Sequence, residues 1–271
     1  MMTTNFRFIR AIYTLSRKRN SLLLALLLAF FISCDSEDAN DCFQTDGDII
    51  TYTLDVDTFS KIQMEDDIRV ILKEGPQQQV IVETGENLVP DLNLFVEQET
   101  LVLQNLNGCN FLREYGRTLV TVTSPNITRI RQASAFEITS EGLLNYESLT
   151  IVSNSTANSL NITDINKSGA VTLHINSTNL VVSANGSSNI TMSGSVETAS
   201  INFSDEFPQF NGRNLEIGDL TFNHTSAAQM VVNPQNSLQG VIKATGDLIS
   251  VTEPPLVDVD VLFTGQLIFE D

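Results

Sequence analysis

The chain has 271 residues, 33 of them Asp or Glu against 15 Lys or Arg, for a formal charge of −18. Such a field disfavours nucleic acid and anionic lipid headgroups as partners, because both depend on Lys and Arg to neutralise phosphate. Divalent cations and basic surfaces are the compatible partners.

At the N-terminus, Arg7, Arg10, Arg17, Lys18 and Arg19 precede an apolar run from Leu22 to Ile32, with no acid before it. A basic head followed by a short apolar core is an export signal. The run is too short for a permanent span, which needs roughly 18 to 20 apolar residues. It ends in Phe-Ile-Ser-Cys, which resembles a bacterial lipoprotein lipobox with Cys34 as the lipidated residue, although Phe31 stands where Leu is commonest. Residues 1–33 are therefore read as a lipoprotein signal peptide, 34–47 as an acidic tether, and 48–271 as the folded domain. Asp35, Glu37 and Asp38 crowd the new N-terminus, where a tether should be solvated. The stretch CDSED resembles the acidic signal that sends Bacteroidota lipoproteins to the outer face of the outer membrane. The expected location is thus the cell surface, held through a lipid on Cys34. Five of the 15 basic residues and none of the 33 acidic ones precede Cys34, so the mature chain carries a formal charge of −23.

With Cys34 assigned to lipid, Cys42 and Cys109 are expected to form a disulfide, as thiols in an exported chain commonly do. A loop of that length would stabilise the fold by about 4 kcal/mol at most on the chain-entropy account. Two unpaired buried cysteines are the alternative.

From Asp48 onward helical periodicity is nearly absent. IRVIL (68–72), QVIVET (79–84), LNLFVE (92–97), LVLQN (101–105) and LVTVT (119–123) alternate and are rich in Val, Ile, Thr and Phe, with KEGPQQQ and QNLNGCN as turns. Beyond Pro125, apolar strand centres recur at Val152, Ile162, Leu173, Val182, Met192, Ile201, Phe210, Leu220, Met230, Val241, Val251 and Val261. The turns SNSTANS, ANGSSN, NHTSAAQ and KATGD each follow an apolar strand. Two strands per repeat of about 20 residues fit an all-β single-chain solenoid, or β-helix, in which each coil buries inward residues against its neighbours. Alternation then turns Leu173, Ile175, Ile201, Phe203, Leu220 and Phe222 inward and His174 outward. Ser, Thr and Asn at stacked corners would bond along the axis, as in other stacked sheets. The alternative fold is a β-sandwich.

The segment DDIRVILKEGPQQQVIVETGENLVPDLNLFVEQETLVLQN, then YGRTLVTVTSPNITRIRQASAFEITSEG, then Asn- and Ser-rich β repeats, resembles the putative auto-transporter adhesin head GIN domain of Bacteroidota lipoproteins. The resemblance runs over roughly residues 48–271. It implies a β-helical surface domain and brings no catalytic residues.

The chain contains no HExxH, G-x-S-x-G, P-loop or CxxC pattern, so an enzyme with those chemistries is not expected, nor is a cofactor or a bound metal. His174 and His224 are read as surface histidines on opposite flanks. Asp66–Asp67, Asp205–Glu206 and Asp258-x-Asp260 lack EF-hand spacing and read as solvated acids rather than calcium ligands. Arg113, Arg117, Arg129 and Arg131 interrupt the acidic field. They are a possible ligand patch for an acidic glycan or carboxylate, or else structural partners of Glu114, Glu137 and Glu141. The expected function is a non-enzymatic, membrane-anchored surface module for adhesion or cell-envelope interaction, with a glycan or protein ligand. The alternatives are a glycan-binding lipoprotein, which the absence of Trp argues against, and a polysaccharide-cleaving β-helix enzyme, for which basic groups after Leu149 are too sparse.

Overall fold

The computed structural model describes residues 43–107, 109, 111, 113–153 and 169–270. Cys34, Cys42, the export segment and Ile162 lie outside the described residues. The described chain is all-β: 18 strands join one continuous sheet that curls into an open half-barrel, with one short 3-10 turn at Glu86–Asp91. A single hydrogen-bonded sheet replaces the two separate layers that a sandwich would need.

The first half is a mixed sheet. Its strands are β1 (Ile49–Leu54), β2 (Lys61–Asp66), β3 (Ile68–Glu74), β4 (Gln79–Gly85), β5 (Leu92–Glu97) and β6 (Thr100–Asn105). They are followed by β7 (Thr118–Ser124), β8 (Arg129–Ser134), β9 (Ile138–Glu141) and β10 (Ser148–Ser153). The predicted runs coincide with β3 to β7. Strand β4 pairs antiparallel with β1 and β7, and β5 with β6, whereas β2 and β3 pair in parallel with β6, β8, β7 and β9. Ile68, Val70 and Leu72 of β3 face the same core as Val120 and Val122 of β7, all of them buried.

The second half is wholly parallel. It comprises β11 (Ala170–Ala184), β12 (Asn189–Phe203), β13 (Gln209–His224), β14 (Met230–Val232), β15 (Pro234–Ile242), β16 (Leu248–Ser250), β17 (Leu256–Val261) and β18 (Leu267–Phe269). Paired positions here lie close to 20 residues apart: Ala170 faces Asn189, Asn189 faces Gln209, and Leu238 faces Val257. Apolar columns result. Val171, Ile190, Phe210, Met230 and Leu248 stack in one and Leu180, Ala199, Leu220 and Leu238 in another, and every member is buried.

The strand count per repeat differs from expectation. Leu173 and Val182 share β11, Met192 and Ile201 share β12, and Phe210 and Leu220 share β13, so each predicted pair is one long curled strand. In β12 the curl passes through Gly194, at φ +107°, a conformation that side chains with a Cβ rarely adopt. The next turn of chain does split, into β14 and β15, where Pro234 lacks an N–H to continue the ladder. On the outer side, Asn176 donates to Asn145 (3.1 Å), Ser195 to Asn176 (3.0 Å), Thr198 to Asn179 (2.7 Å) and Asn223 to Asn202 (2.8 Å). Apart from Asn145, these groups lie within the long strands β11, β12 and β13 and not at corners between strands. Toward the far end, Leu256, Val257, Val261, Leu262, Phe263 and Ile268 are exposed among the described residues.

Candidate functional site

The four arginines do not make one exposed face. Arg131 is buried, 3.6 Å from the equally buried Glu65 of β2. Arg117 pairs with Asp46 at 2.9 Å. Arg113 donates to the carbonyls of Gln44 (3.2 Å) and Cys109 (3.1 Å). Only Arg129 and Arg117 are exposed, and Arg129 lies opposite Lys61 on β2. The groups that engage Arg113, Arg117 and Arg131 thus include Gln44, Cys109, Asp46 and Glu65 rather than Glu114, Glu137 and Glu141; the last of these pairs with Lys73 at 2.7 Å. Cys109 is disulfide-bonded, and Cys42 lies outside the described residues.

His174 is exposed as expected, but His224 is fully buried. It stands in the column Phe203, His224, Ile242, with its ring 6.0 Å from that of Phe203. The alternation that turns Leu220 and Phe222 inward extends two residues further and was the signal for this. Burial lowers the His224 pKa below 6.5. Backbone groups of Gly246 and Ala228 and the charge of Asp247 offset this in part, though neither ring nitrogen makes a hydrogen bond of good geometry. The folded state thus holds His224 neutral where the unfolded chain takes up a proton, so its contribution is intact above the unfolded pKa and falls as pH drops below about 6.5. Urea unfolding from pH 7.5 to 5 should show this loss. His224→Phe should flatten that slope, and an unchanged slope would contradict it.

Asp205 accepts from the backbone of Glu206 at 2.8 Å, and Asp258 and Asp260 are exposed on β17. Among the described residues no group of three or more His, Cys, Asp or Glu could hold a metal ion.

One concavity holds none of the residues singled out from the sequence. An open groove of about 620 Å³ crosses the parallel strands at right angles. Beneath it run Ser177 and Val196, neighbours in register that are buried on the core side of their strands. One wall is the column Asn176, Ser195, Glu216; the other carries Glu147, Thr178 and Glu197. The wall is tied along its length, because Glu74 accepts from Asn145, which accepts from Asn176, which accepts from Ser195. Among the described residues, three carboxylates and no Lys, Arg or His line the groove. Aligning INST (175–178), GSVE (194–197) and LEIG (215–218) as successive turns of chain would have brought these polar positions together.

Solved structures share the fold. A protein titled a putative adhesin from Bacteroides fragilis superimposes with a TM-score of 0.71 at 16% identity, over 82% of this chain and 97% of its own. One from Parabacteroides merdae with the same description gives 0.62 at 16%, over 83% and 97%. A third, titled a putative lipid binding protein from Parabacteroides distasonis, gives 0.60 at 14%, over 83% and 98%. No curated protein matches the chain. The family profile described as "Putative auto-transporter adhesin, head GIN domain" matches residues 58–254, and the chain belongs to that family.

Proposed function

We propose that the chain is a surface lipoprotein, anchored through Cys34, whose parallel strands form successive coils of about 20 residues and which acts by adhesion rather than turnover. The groove carries this reading. It is a long polar channel built on rigid paired strands, a surface suited to holding an extended partner. Family membership and the lipobox-like segment agree with a role outside the cell.

Lipid binding is the second reading, suggested by the exposed apolar residues of the last turn of chain, Leu256 to Ile268. One experiment separates the two. In intact cells the full-length protein should be digested by added protease and should sediment with membranes; Cys34→Ala should leave the membrane fraction or stay unprocessed, because two anchoring chains are lost. A processed Cys34→Ala protein that still sediments with membranes would refute the lipid anchor and favour the apolar end.

A further inference from the structure

We infer that the outward-facing aromatic pair Phe43 and Phe111 rests on the bilayer surface beside the lipid anchor and sets how the domain stands on the membrane. This rests on the Cys34 anchor proposed above and adds a second, non-covalent contact to it.

The pair is exposed where burial is the rule for phenylalanine. Phe43 is 56% and Phe111 75% exposed, and their ring centroids lie 6.1 Å apart. Leu106 and Tyr115, in the same β6–β7 connection as Phe111, are exposed as well. None of the four belongs to the core cluster or packs against it, so the fold gains little from them. Adjoining exposed rings of this kind suit a partner that is apolar or interfacial.

The chain places the pair beside the anchor. Arg113 donates to the carbonyl of Gln44 at 3.2 Å, Arg117 pairs with Asp46 at 2.9 Å, and Gln44 donates to the carbonyl of Asn87 at 2.8 Å. These contacts clamp residues 43–46 onto the β6–β7 connection, and the chain enters the fold at the pair itself. Nine residues separate Phe43 from Cys34, which bounds the distance between them at about 32 Å. The exposed apolar residues of β17, by contrast, lie eight strand-to-strand steps from β6, about 38 Å along the sheet.

Charge and linkage choose the partner. Two rings bury too little surface to hold a chain of net charge −18 on a bilayer unaided. Once a lipid holds Cys34 the contact becomes intramolecular, and the high effective concentration lets a weak contact form. Aromatic rings favour the headgroup level of a bilayer, and the acidic chain favours a zwitterionic surface over an anionic one. Seated in this way, the parallel strands and their groove stand away from the membrane.

The chain has no Trp, so one substitution gives an emission from a single place. Lipidated full-length protein carrying Phe111→Trp, Phe43→Trp or Phe263→Trp is reconstituted into phosphatidylcholine vesicles, with and without a lipid bearing a nitroxide near its headgroup, and flotation of the vesicles is followed alongside. All three proteins should float, and the nitroxide should quench Phe111→Trp and Phe43→Trp at least about threefold more strongly than Phe263→Trp. Either ring of the pair decides if the other variant misfolds. Floating protein whose Phe111→Trp and Phe43→Trp emissions are quenched no better than that of Phe263→Trp overturns the proposal and leaves the anchor standing. Stronger quenching of Phe263→Trp overturns it by putting the far end on the bilayer. A blue-shifted, unquenched emission that grows with protein density assigns the pair to a second copy of the chain and overturns it likewise. Protein that does not float removes the anchor, and this contact with it.

Discussion

Ile201→Asp should abolish the native fold. Ile201 is fully buried, stacked between Val182 and Phe222 in adjacent strands. A carboxylate there has no partner to replace its water, and the apolar contacts of the isoleucine are lost with it. The combined cost, about 5 kcal/mol or more, is comparable with the whole stability of a typical domain. Far-UV circular dichroism and gel filtration should report an unfolded or aggregated chain. Ile201→Val, which removes one methylene, should cost only about 1 kcal/mol, and a folded, monodisperse Ile201→Asp protein would refute the stacked core.

Gly194→Val should be nearly as damaging, for a different reason. A Cβ at Gly194 would sit 2.0 Å from the carbonyl oxygen of Ile175 on the neighbouring strand, in a backbone conformation of φ +107°. The contact is with backbone, so no rotamer relieves it, and either the β11–β12 ladder opens or the chain loses its bend. A loss of about 3 kcal/mol or more in urea unfolding is expected. Gly142 is the control: its φ is +85°, but a Cβ there would meet nothing within 4 Å, so Gly142→Ala should cost about 1 kcal/mol from backbone strain alone. Equal effects at the two sites would show that the close approach of strands at Gly194 is not what matters.

Period-two alternation read the faces of the chain well, because it needs only local chemistry. Leu173 and Ile175 are buried and His174 is exposed, as that pattern requires. Parallel pairing near a 20-residue offset was also legible, since inward apolar residues must recur wherever strands stack. What alternation cannot register is whether a polar corner interrupts a strand or bends it, and here Gly194 lets β12 run on through the bend. The antiparallel pairings of β4 with β1 and β7 have no repeat to announce them. Arg131 illustrates a further limit: alternation cannot tell that both faces of β8 are covered there, with Glu65 on the neighbouring strand. The groove was hidden for a related reason. Asn176, Ser195 and Glu216 belong to three strands, and only their register makes them one wall.

Adhesion without turnover is tested most directly on whole cells. Cells carrying the wild-type chain, the Glu197→Gln/Glu216→Gln chain, or none should be passed over a panel of immobilised glycan polymers and surface proteins, and the retained cells and the chain length of the retaining polymer both measured. The account predicts retention by the wild type only, with the polymer recovered at its original length. Equal retention without the protein, or shortened polymer wherever the wild-type chain is present, would contradict it.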